Sequence, residues 1–137
     1  MKPFFLIIFL ALMLSLCNCN PPPGAELRYP LWIINNESDN RIFTISFNYP
    51  DTLLPHDSKE LVSGRLPLGE RISYDIGEPW NKRLAKTQGG KVSVFILDLD
   101  TFNRYSRETM RVENKILKRY DLNAQDLEDI NYTIIYP

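Results

Sequence analysis

A continuous apolar stretch near the middle of the chain constrains the fold more than any other feature. Residues 91 to 100 read KVSVFILDLD, and in an extended conformation both faces of this segment are apolar. Its short length, its β-branched and aromatic residues and the preceding Gly89-Gly90 pair favour a strand over a buried helix. A strand that is apolar on both faces is covered on both, so we expect this one at the centre of a sheet.

Two strands are predicted near the start of the folded part of the chain. Residues 31 to 34 form an apolar run, and residues 42 to 48 alternate apolar with polar side chains. Between them, residues 35 to 40 read NNESDN and are dense in turn-forming residues. This arrangement predicts that the two strands pair as an antiparallel hairpin.

The next segment, residues 49 to 70, is rich in proline and glycine and is predicted to be a loop. It has room for at most one short strand, near Leu61 and Val62. Residues 72 to 76 then alternate apolar with polar side chains, which predicts another half-buried strand.

Three short helices are predicted in the second half of the chain. Pro79 is well placed as the first residue of one helix, and Gly89 can end it. Ser106 can cap a second helix. Asn123 predicts the start of the last helix, because Asp126 stands at the third position of a capping-box pattern.

Two more strands and the domain boundaries complete the predicted fold. Residues 116 to 120 are predicted to form one strand. Residues 132 to 136 are predicted to form the last strand, which we expect to join the central sheet. Residues 29 to 137 are enough for one globular domain and too few for two. The predicted fold class is α+β and β-rich, a mainly antiparallel sheet or sandwich of about six strands with three short helices.

The N-terminus carries a pattern typical of export. Lys2 precedes a largely apolar run from residue 4 to residue 16. A transmembrane helix needs about 20 apolar residues, so this run is short for one and matches the core of a signal peptide. Cys17 and Cys19, the only cysteines of the chain, stand where the run ends. Residues 1 to 19 are therefore predicted to be a signal segment.

The position of the two cysteines predicts lipid attachment. Exported proteins often use cysteine pairs as disulfides, yet the rest of this chain has no thiol. In bacterial lipoprotein signals, cleavage occurs before a cysteine that then carries the lipid, and the preceding residue is normally small. Asn18, which precedes Cys19, is less bulky than Leu16, so Cys19 is the predicted attachment site and Cys17 the alternative. An ordinary cleaved signal peptide with incidental cysteines is the competing interpretation.

The segment after the cysteines and the charge balance define the expected partners. Residues 20 to 28 contain three consecutive prolines and form a stiff, Pro-rich tether.

Without Lys2, 15 of the 16 basic residues remain against 17 acidic residues, a formal charge of −2. This balance argues against a nucleic-acid partner. We expect the membrane as a partner through the lipid, and a protein or a glycan as the partner of the domain.

Several strings of the sequence resemble a known family. They are FILDLDTFNRY, NKILKRYDLNAQDLEDIN and YTIIYP in the last third, and WIINNESDNRIFTISFNYPDTLLP near the start. Covering most of residues 31 to 137, they resemble a family of small uncharacterised lipoproteins of Bacteroidota. The resemblance implies a lipid-anchored envelope protein and brings no catalytic residue. It also supports Cys19, because relatives often show a cysteine, a small residue and a second cysteine there. We expect this protein on the outer membrane, facing the periplasm.

The same bacterial setting suggests one modification site. Asp51-Thr52-Leu53 matches the short acceptor pattern for O-glycosylation in Bacteroidota, an aspartate followed by threonine and an aliphatic residue. Thr52 is therefore a candidate O-glycosylation site.

Candidate catalytic groups are few. Asp98 and Asp100 follow an apolar strand, as in the nucleophile loop of haloacid-dehalogenase-type phosphatases, but Phe102 stands where that motif has threonine or valine. His56, the only histidine, lies in the proline-rich loop. One imidazole without a cysteine in the mature chain excludes zinc sites of the Cys/His kind and cysteine-nucleophile catalysis. We predict no catalytic residue, no metal and no cofactor, and interpret the two aspartates as solvated strand-end carboxylates.

Three hypotheses of function remain. The first is a non-enzymatic structural or interaction role for an envelope lipoprotein. The second is a glycan- or ligand-binding module, because Trp32, Trp80 and the seven tyrosines could form a stacking surface, although aromatic residues at strand spacing are more often core. The third is a hydrolase that uses Asp98, Asp100 or His56. Exposure of Trp80 and neighbouring tyrosines in one groove would favour the second, and a cavity joining His56 to the carboxylates would favour the third.

Overall fold

The computed structural model describes residues 28 to 50, residue 54 and residues 62 to 137. Several sequence predictions lie outside these residues, namely the signal segment, most of the tether, and the sites Cys17, Cys19, Thr52 and His56. Apart from these gaps, the structure covers the predicted domain of residues 29 to 137.

The described chain forms an α+β structure that is rich in strands, as the sequence predicts. Its seven strands are β1 (Tyr29–Asn35), β2 (Arg41–Ser46), β3 (Val62–Arg65), β4 (Arg71–Ile76), β5 (Val92–Asp98), β6 (Lys118–Leu122) and β7 (Thr133–Tyr136). Its four α-helices are α1 (Trp80–Ala85), α2 (Leu99–Arg104), α3 (Arg107–Val112) and α4 (Ala124–Asp129), and a short 3-10 helix spans Gln88–Gly90. The fold class is confirmed, with one more strand and one more α-helix than expected.

The strands form two sheets. The four-stranded sheet has the order β3-β2-β5-β6 and is antiparallel throughout. The three-stranded sheet has the order β4-β1-β7, with β1 antiparallel to β4 and parallel to β7. The inner faces of both sheets contribute to one hydrophobic core, as in a sandwich.

β5 occupies the place that the sequence predicts for the central apolar stretch. It lies between β2 and β6, and it is buried on both faces. Val92, Val94 and Ile96 belong to the core between the sheets. Phe95 and Leu97 point to the opposite face, where residues of α2 and α3 pack against them in a second core.

Two predictions of strand pairing are wrong. β1 and β2 do not form a hairpin, because β1 pairs with β4 and β7 whereas β2 pairs with β3 and β5. The terminal strand β7 does not join the sheet of the central strand β5, because it pairs with β1 in the three-stranded sheet. Each of the two strands expected in one hairpin therefore belongs to a different sheet.

The fully buried side chain of Asn35 holds the turn that leads from one sheet to the other. Its Nδ2 donates to the Leu66 carbonyl at 2.7 Å, and its Oδ1 accepts from the Glu37 N–H at 3.0 Å. Leu66 directly follows β3, so this amide ties the end of β1 to the edge of the four-stranded sheet. A buried amide with several backbone partners explains why these turn-forming residues separate the strands.

The helix starts largely agree with the sequence. α3 has Ser106 as its N-cap, and α4 has the predicted capping box of Asn123 and Asp126. α1 starts one residue later than predicted, with Pro79 in the N-cap position. Gly89 does not end this helix, because it lies beyond it in the 3-10 helix with a φ of 73°.

α2 is the helix that the sequence does not predict. The central strand is expected to run to Asp100, but β5 ends at Asp98. The Asp98 carboxylate accepts a hydrogen bond from the Thr101 N–H at 2.8 Å and is the N-cap of α2. A carboxylate in this position satisfies one of the free N–H groups of the first turn, so it ends the strand and begins a helix.

Candidate functional site

A groove lies beside β1, near the start of α1 and the end of α4. Its volume is about 510 Å³. The aromatic and charged residues of its lining include Tyr29, Trp32, Arg71, Glu128 and Tyr132. Aromatic surface combined with a few charged groups in a cavity of this size is typical of a small-molecule site.

Trp32 lines the groove because the side chains of β1 alternate between two faces. Leu31 and Ile33 point into the core and are fully buried, whereas Trp32 lies on the outer face and is only partly buried. Its cross-strand neighbours on that face are small, Ser73 of β4 and Thr133 of β7. Trp32 therefore belongs to neither hydrophobic core, contrary to the usual place of an aromatic residue at strand spacing.

Two arginines bring positive charge to the groove. The Cζ atom of Arg71 lies 3.8 Å from the centroid of the Trp32 ring, which is a cation–π contact. Arg28, the residue before β1, adds a second guanidinium. Among the described residues, no carboxylate forms an ion pair with either arginine. Both charges can therefore interact with a bound anion.

Trp80 supports the groove and does not expose its ring. Only 3% of its surface is accessible, and its indole Nε1–H donates to the Tyr29 carbonyl at 2.9 Å. Its ring lies 6.3 Å from that of Phe47 and 6.4 Å from that of Tyr74, centroid to centroid. The condition set for a binding module, exposure of Trp80 and neighbouring tyrosines in one groove, is therefore not met, because Trp80 is buried and Tyr29 and Tyr132 are half-buried and pack against the core.

The turn after α4 forms another wall of the groove and has an uncommon backbone. Asn131 and Tyr132 have positive φ angles of 49° and 51°, which few residues other than glycine adopt. The Asn131 N–H donates to the Glu128 carbonyl at 2.9 Å. The Tyr132 N–H donates to the Leu127 carbonyl at 2.8 Å, which completes a Schellman motif. The Tyr132 carbonyl accepts from the Trp32 N–H at 2.8 Å, so the turn is fixed to β1.

The two aspartates that the sequence singles out lie away from the groove. Asn40 Nδ2 donates to Asp98 Oδ2 at 3.2 Å and to Asp100 Oδ2 at 2.8 Å. Arg41 forms an ion pair with Asp98 at 3.1 Å. Chiefly the hydrogen bond from the Thr101 N–H lowers the pKa of Asp98 below its ordinary value. Both carboxylates therefore have structural partners and are not simply solvated.

The groove does not contain the two described residues of the hydrolase hypothesis. Asp98 and Asp100 are absent from its lining, and His56 lies outside the described residues. In the part of the chain that the structure describes, no group of three or more His, Cys, Asp or Glu side chains is placed to hold a metal ion.

Comparison of the chain with family models, curated proteins and solved structures finds no match. No helix within residues 28 to 50 or 62 to 137 is long and apolar enough to span a membrane. The groove is therefore interpreted from its own residues.

Sequence reasoning misses the three charged residues of the groove, Arg28, Arg71 and Glu128. They stand far apart in the chain and resemble ordinary surface charges. A signal for one of them exists in the strand patterns: Arg71 occupies an outward position of the alternating strand β4, although the apolar run that contains Trp32 does not alternate. Correct pairing of β1 with β4 would have placed both on one face.

Proposed function

We propose that this protein is a membrane-anchored lipoprotein of the cell envelope with a non-enzymatic interaction role, and that the groove beside β1 is its binding site. One observation carries the proposal: Trp32 and the guanidiniums of Arg28 and Arg71 meet in one groove although neither hydrophobic core requires them. Tryptophan, tyrosine and arginine are the residues that dominate binding surfaces.

The chemistry of the groove supports binding over catalysis. Its described lining includes no serine, threonine, cysteine, histidine or lysine, so it offers no aliphatic hydroxyl, thiol, imidazole or amine nucleophile. Glu128 is the one carboxylate in this lining. Asp98 and Asp100, the other candidates for acid–base chemistry, are engaged at the start of α2. These observations favour the non-enzymatic hypothesis over a hydrolase.

The place where the chain enters the domain fits a membrane anchor. Arg28, the last residue of the predicted tether, lines the groove. With the lipid on Cys19, residues 20 to 28 span at most about 30 Å when fully extended. The groove would then remain within that distance of the lipid, on the periplasmic side of the outer membrane.

The lipid anchor is tested with the full chain in a bacterial host that processes lipoproteins. We expect incorporation of labelled palmitate into the wild type and into Cys17→Ser, and loss of the label in Cys19→Ser. Label in Cys19→Ser but not in Cys17→Ser would assign the lipid to the alternative cysteine. An unlabelled wild type, or label that survives in the double variant, would contradict the anchor.

The binding role is tested by a ligand survey with the full chain purified in detergent. The survey covers saccharides, peptidoglycan fragments and envelope proteins, and compares the wild type with Trp32→Ala and Ile135→Ala. Ile135 is a matched control, because it lies on the outer face of the same sheet but does not line the groove. We expect a ligand whose binding is lost in Trp32→Ala and kept in Ile135→Ala. Equal binding by both variants, or no ligand in any class, would contradict the proposal.

A further inference from the structure

We propose that the ligand of the groove is an acidic sugar, a hexuronate or a glycan that carries one. This inference rests on the proposed function, since it names the class of ligand for the same groove. It follows from three properties of the described lining: its charge, its hydrogen-bonding groups and its aromatic surface.

The charge of the lining favours a ligand that places one carboxylate in the groove. Arg28 and Arg71 supply two positive charges and Glu128 one negative charge, so the described lining has a net charge of +1. A guanidinium binds a carboxylate through two parallel hydrogen bonds, which gives the pair a defined orientation. The contact with the Trp32 ring holds the Arg71 guanidinium at the groove wall before a ligand arrives.

The remaining polar groups suit the hydroxyls of a sugar. Glu128 can accept hydrogen bonds from hydroxyl groups, and the amide of Asn131 can both donate and accept. The Oδ1 atom of Asn81 already accepts from the Lys82 N–H at 2.8 Å, which leaves its Nδ2 group to donate to a ligand. A doubly charged phosphate monoester would meet repulsion from the Glu128 carboxylate, and its phosphate group would offer that carboxylate no proton donor. The lining therefore favours a hydroxylated carboxylic acid over a phosphate.

Aromatic surface supplies the apolar part of the site. The C–H groups of a pyranose ring form an apolar face, and aromatic side chains are the usual surface on which such a face packs. Trp32 and the half-buried Tyr29 and Tyr132, which also pack against the core, line this groove. A simple carboxylate such as acetate has no comparable face, so it would use only the arginines.

The walls of the groove are held in place by hydrogen bonds within the domain. The indole of Trp80 donates to the Tyr29 carbonyl, and the Trp32 N–H donates to the Tyr132 carbonyl. A preformed site loses little entropy when it binds a ligand. The volume of about 510 Å³ leaves room for more than one sugar unit, which fits a glycan as well as a free uronate.

The test is a calorimetric titration of the full chain in detergent with matched probes. The probes are trigalacturonate, its neutral counterpart galactotriose, monomeric galacturonate, acetate and inorganic phosphate. We expect trigalacturonate to bind at least about tenfold more tightly than galactotriose, because a carboxylate–guanidinium contact adds a charged hydrogen bond. The monomer and the trimer distinguish a free uronate from a glycan as the source of the acidic sugar.

Substitutions of arginines test which side chain binds the carboxylate of the acidic sugar. Arg71→Met is expected to remove most of the preference for the acidic trisaccharide, a loss of about tenfold or more. Arg71→Lys keeps the charge but not the paired geometry, so it should retain part of the preference. Arg104→Met, at the exposed end of α2, is the matched control and should bind like the wild type. Arg28→Met provides a second groove variant should Arg71→Met unfold.

The outcomes separate this inference from the function on which it rests. Equal affinity for the acidic and neutral trisaccharides, with binding lost in Trp32→Ala, would overturn the acidic sugar and leave the groove as the binding site. Tighter binding of phosphate or acetate than of trigalacturonate would have the same consequence. If no probe binds while the ligand survey still finds Trp32-dependent binding, the sugar is wrong and the binding role stands. Failure of both experiments would overturn both.

Discussion

The two sheets of the molecule use apolar side chains in different ways. In the four-stranded sheet, β5 is apolar on both faces and both faces are buried, one by the opposite sheet and the other by α2 and α3. In the three-stranded sheet, β1 is also apolar on both faces, but only its inner face belongs to a core. On the outer face of that sheet Ile135 is 58% exposed and Trp32 lines a groove.

The difference shows which apolar residues the fold requires. Burial of Phe95 and Leu97 stabilises the domain, whereas the described chain does not cover the outer face of the three-stranded sheet. We propose that the apolar and aromatic side chains left beside charged groups on this face form an interaction surface. The predictions that follow test this contrast between a covered sheet and an open one.

The largest contrast is expected between two aromatic residues, one on each sheet. Phe95→Ala should lower the free energy of unfolding by about 3–5 kcal/mol, because it leaves a cavity in the second core. Trp32→Ala should cost only about 1–2 kcal/mol, from a cross-strand contact and the cation–π contact with Arg71. Urea unfolding of the full chain in detergent measures both. A cost for Trp32→Ala as large as that for Phe95→Ala would mean that the outer face is also core.

The junction between the sheets should be nearly as sensitive. Asn35→Ala removes the partner of the Leu66 carbonyl, just after β3, and of the Glu37 N–H, in the turn that separates β1 from β2. We expect a loss of about 2–3 kcal/mol in the free energy of unfolding, because a buried polar group is left without a partner. The exposed Asn103 of α2 is the control, since Asn103→Ala should change stability by less than about 0.5 kcal/mol. Equal effects would show that the Asn35 amide does not hold the junction.

Adjacent residues of β7 provide the next comparison across the two faces of the open sheet. Ile134→Thr places a hydroxyl in the core between the sheets and should cost about 2 kcal/mol. Ile135→Thr on the outer face should change the free energy of unfolding by less than about 0.5 kcal/mol. Thermal unfolding of the two variants side by side checks the orientation of β7. Reversed effects would place β7 in the opposite register.

The smallest loss of stability among the main substitutions is expected at Asp98, the last residue of β5. Asp98 caps α2, one of the helices that cover the four-stranded sheet. Asp98→Ala should cost about 1 kcal/mol near neutral pH, because α2 loses its N-cap. Hydrogen bonds to the carboxylate lower its pKa in the folded state, so its contribution is present above the ordinary pKa of about 4 and lost as the pH falls through the lowered value. The stability curves of wild type and variant should therefore converge in acid.

A second substitution separates the cap from the charge. Asp98→Asn preserves the capping oxygen, so it should keep most of the stability and lose the dependence on acid pH. Urea unfolding between pH 3 and 7 measures both variants. If Asp98→Ala remained less stable than the wild type by the same amount at every pH, titration of this carboxyl would have no part in its contribution.

Much of the fold could be predicted from local signals. The two-sided apolar pattern of β5 identified a central strand, and Ser106, Asn123 and Asp126 identified helix starts through their capping chemistry. Pairing could not be predicted in the same way. The turn after Asn35 looks like a hairpin turn, and only the burial of its amide against the chain after β3 sends β1 and β2 to different sheets.

The candidate site was harder to predict than the fold. Its aromatic residues were noticed, but exposure of Trp80 was chosen as the sign of a binding module, whereas Trp80 is buried and Trp32 lines the groove. Whether an apolar second face is buried depends on which other elements cover it, and that is a property of the tertiary structure. The arginines could not be recognised as site residues, because the groups beside them are distant in sequence, such as the Trp32 ring next to Arg71.

The role of the open face is measured most directly by hydrogen–deuterium exchange of the full chain with and without saturating trigalacturonate. We predict slower exchange in residues 28 to 35, in residues 71 to 82 and in residues 127 to 133, which line or support the groove. The edge strands of the four-stranded sheet, β3 and β6, should exchange at unchanged rates. Slower exchange confined to those two strands, or no change in the three groove segments, would contradict binding on the open face.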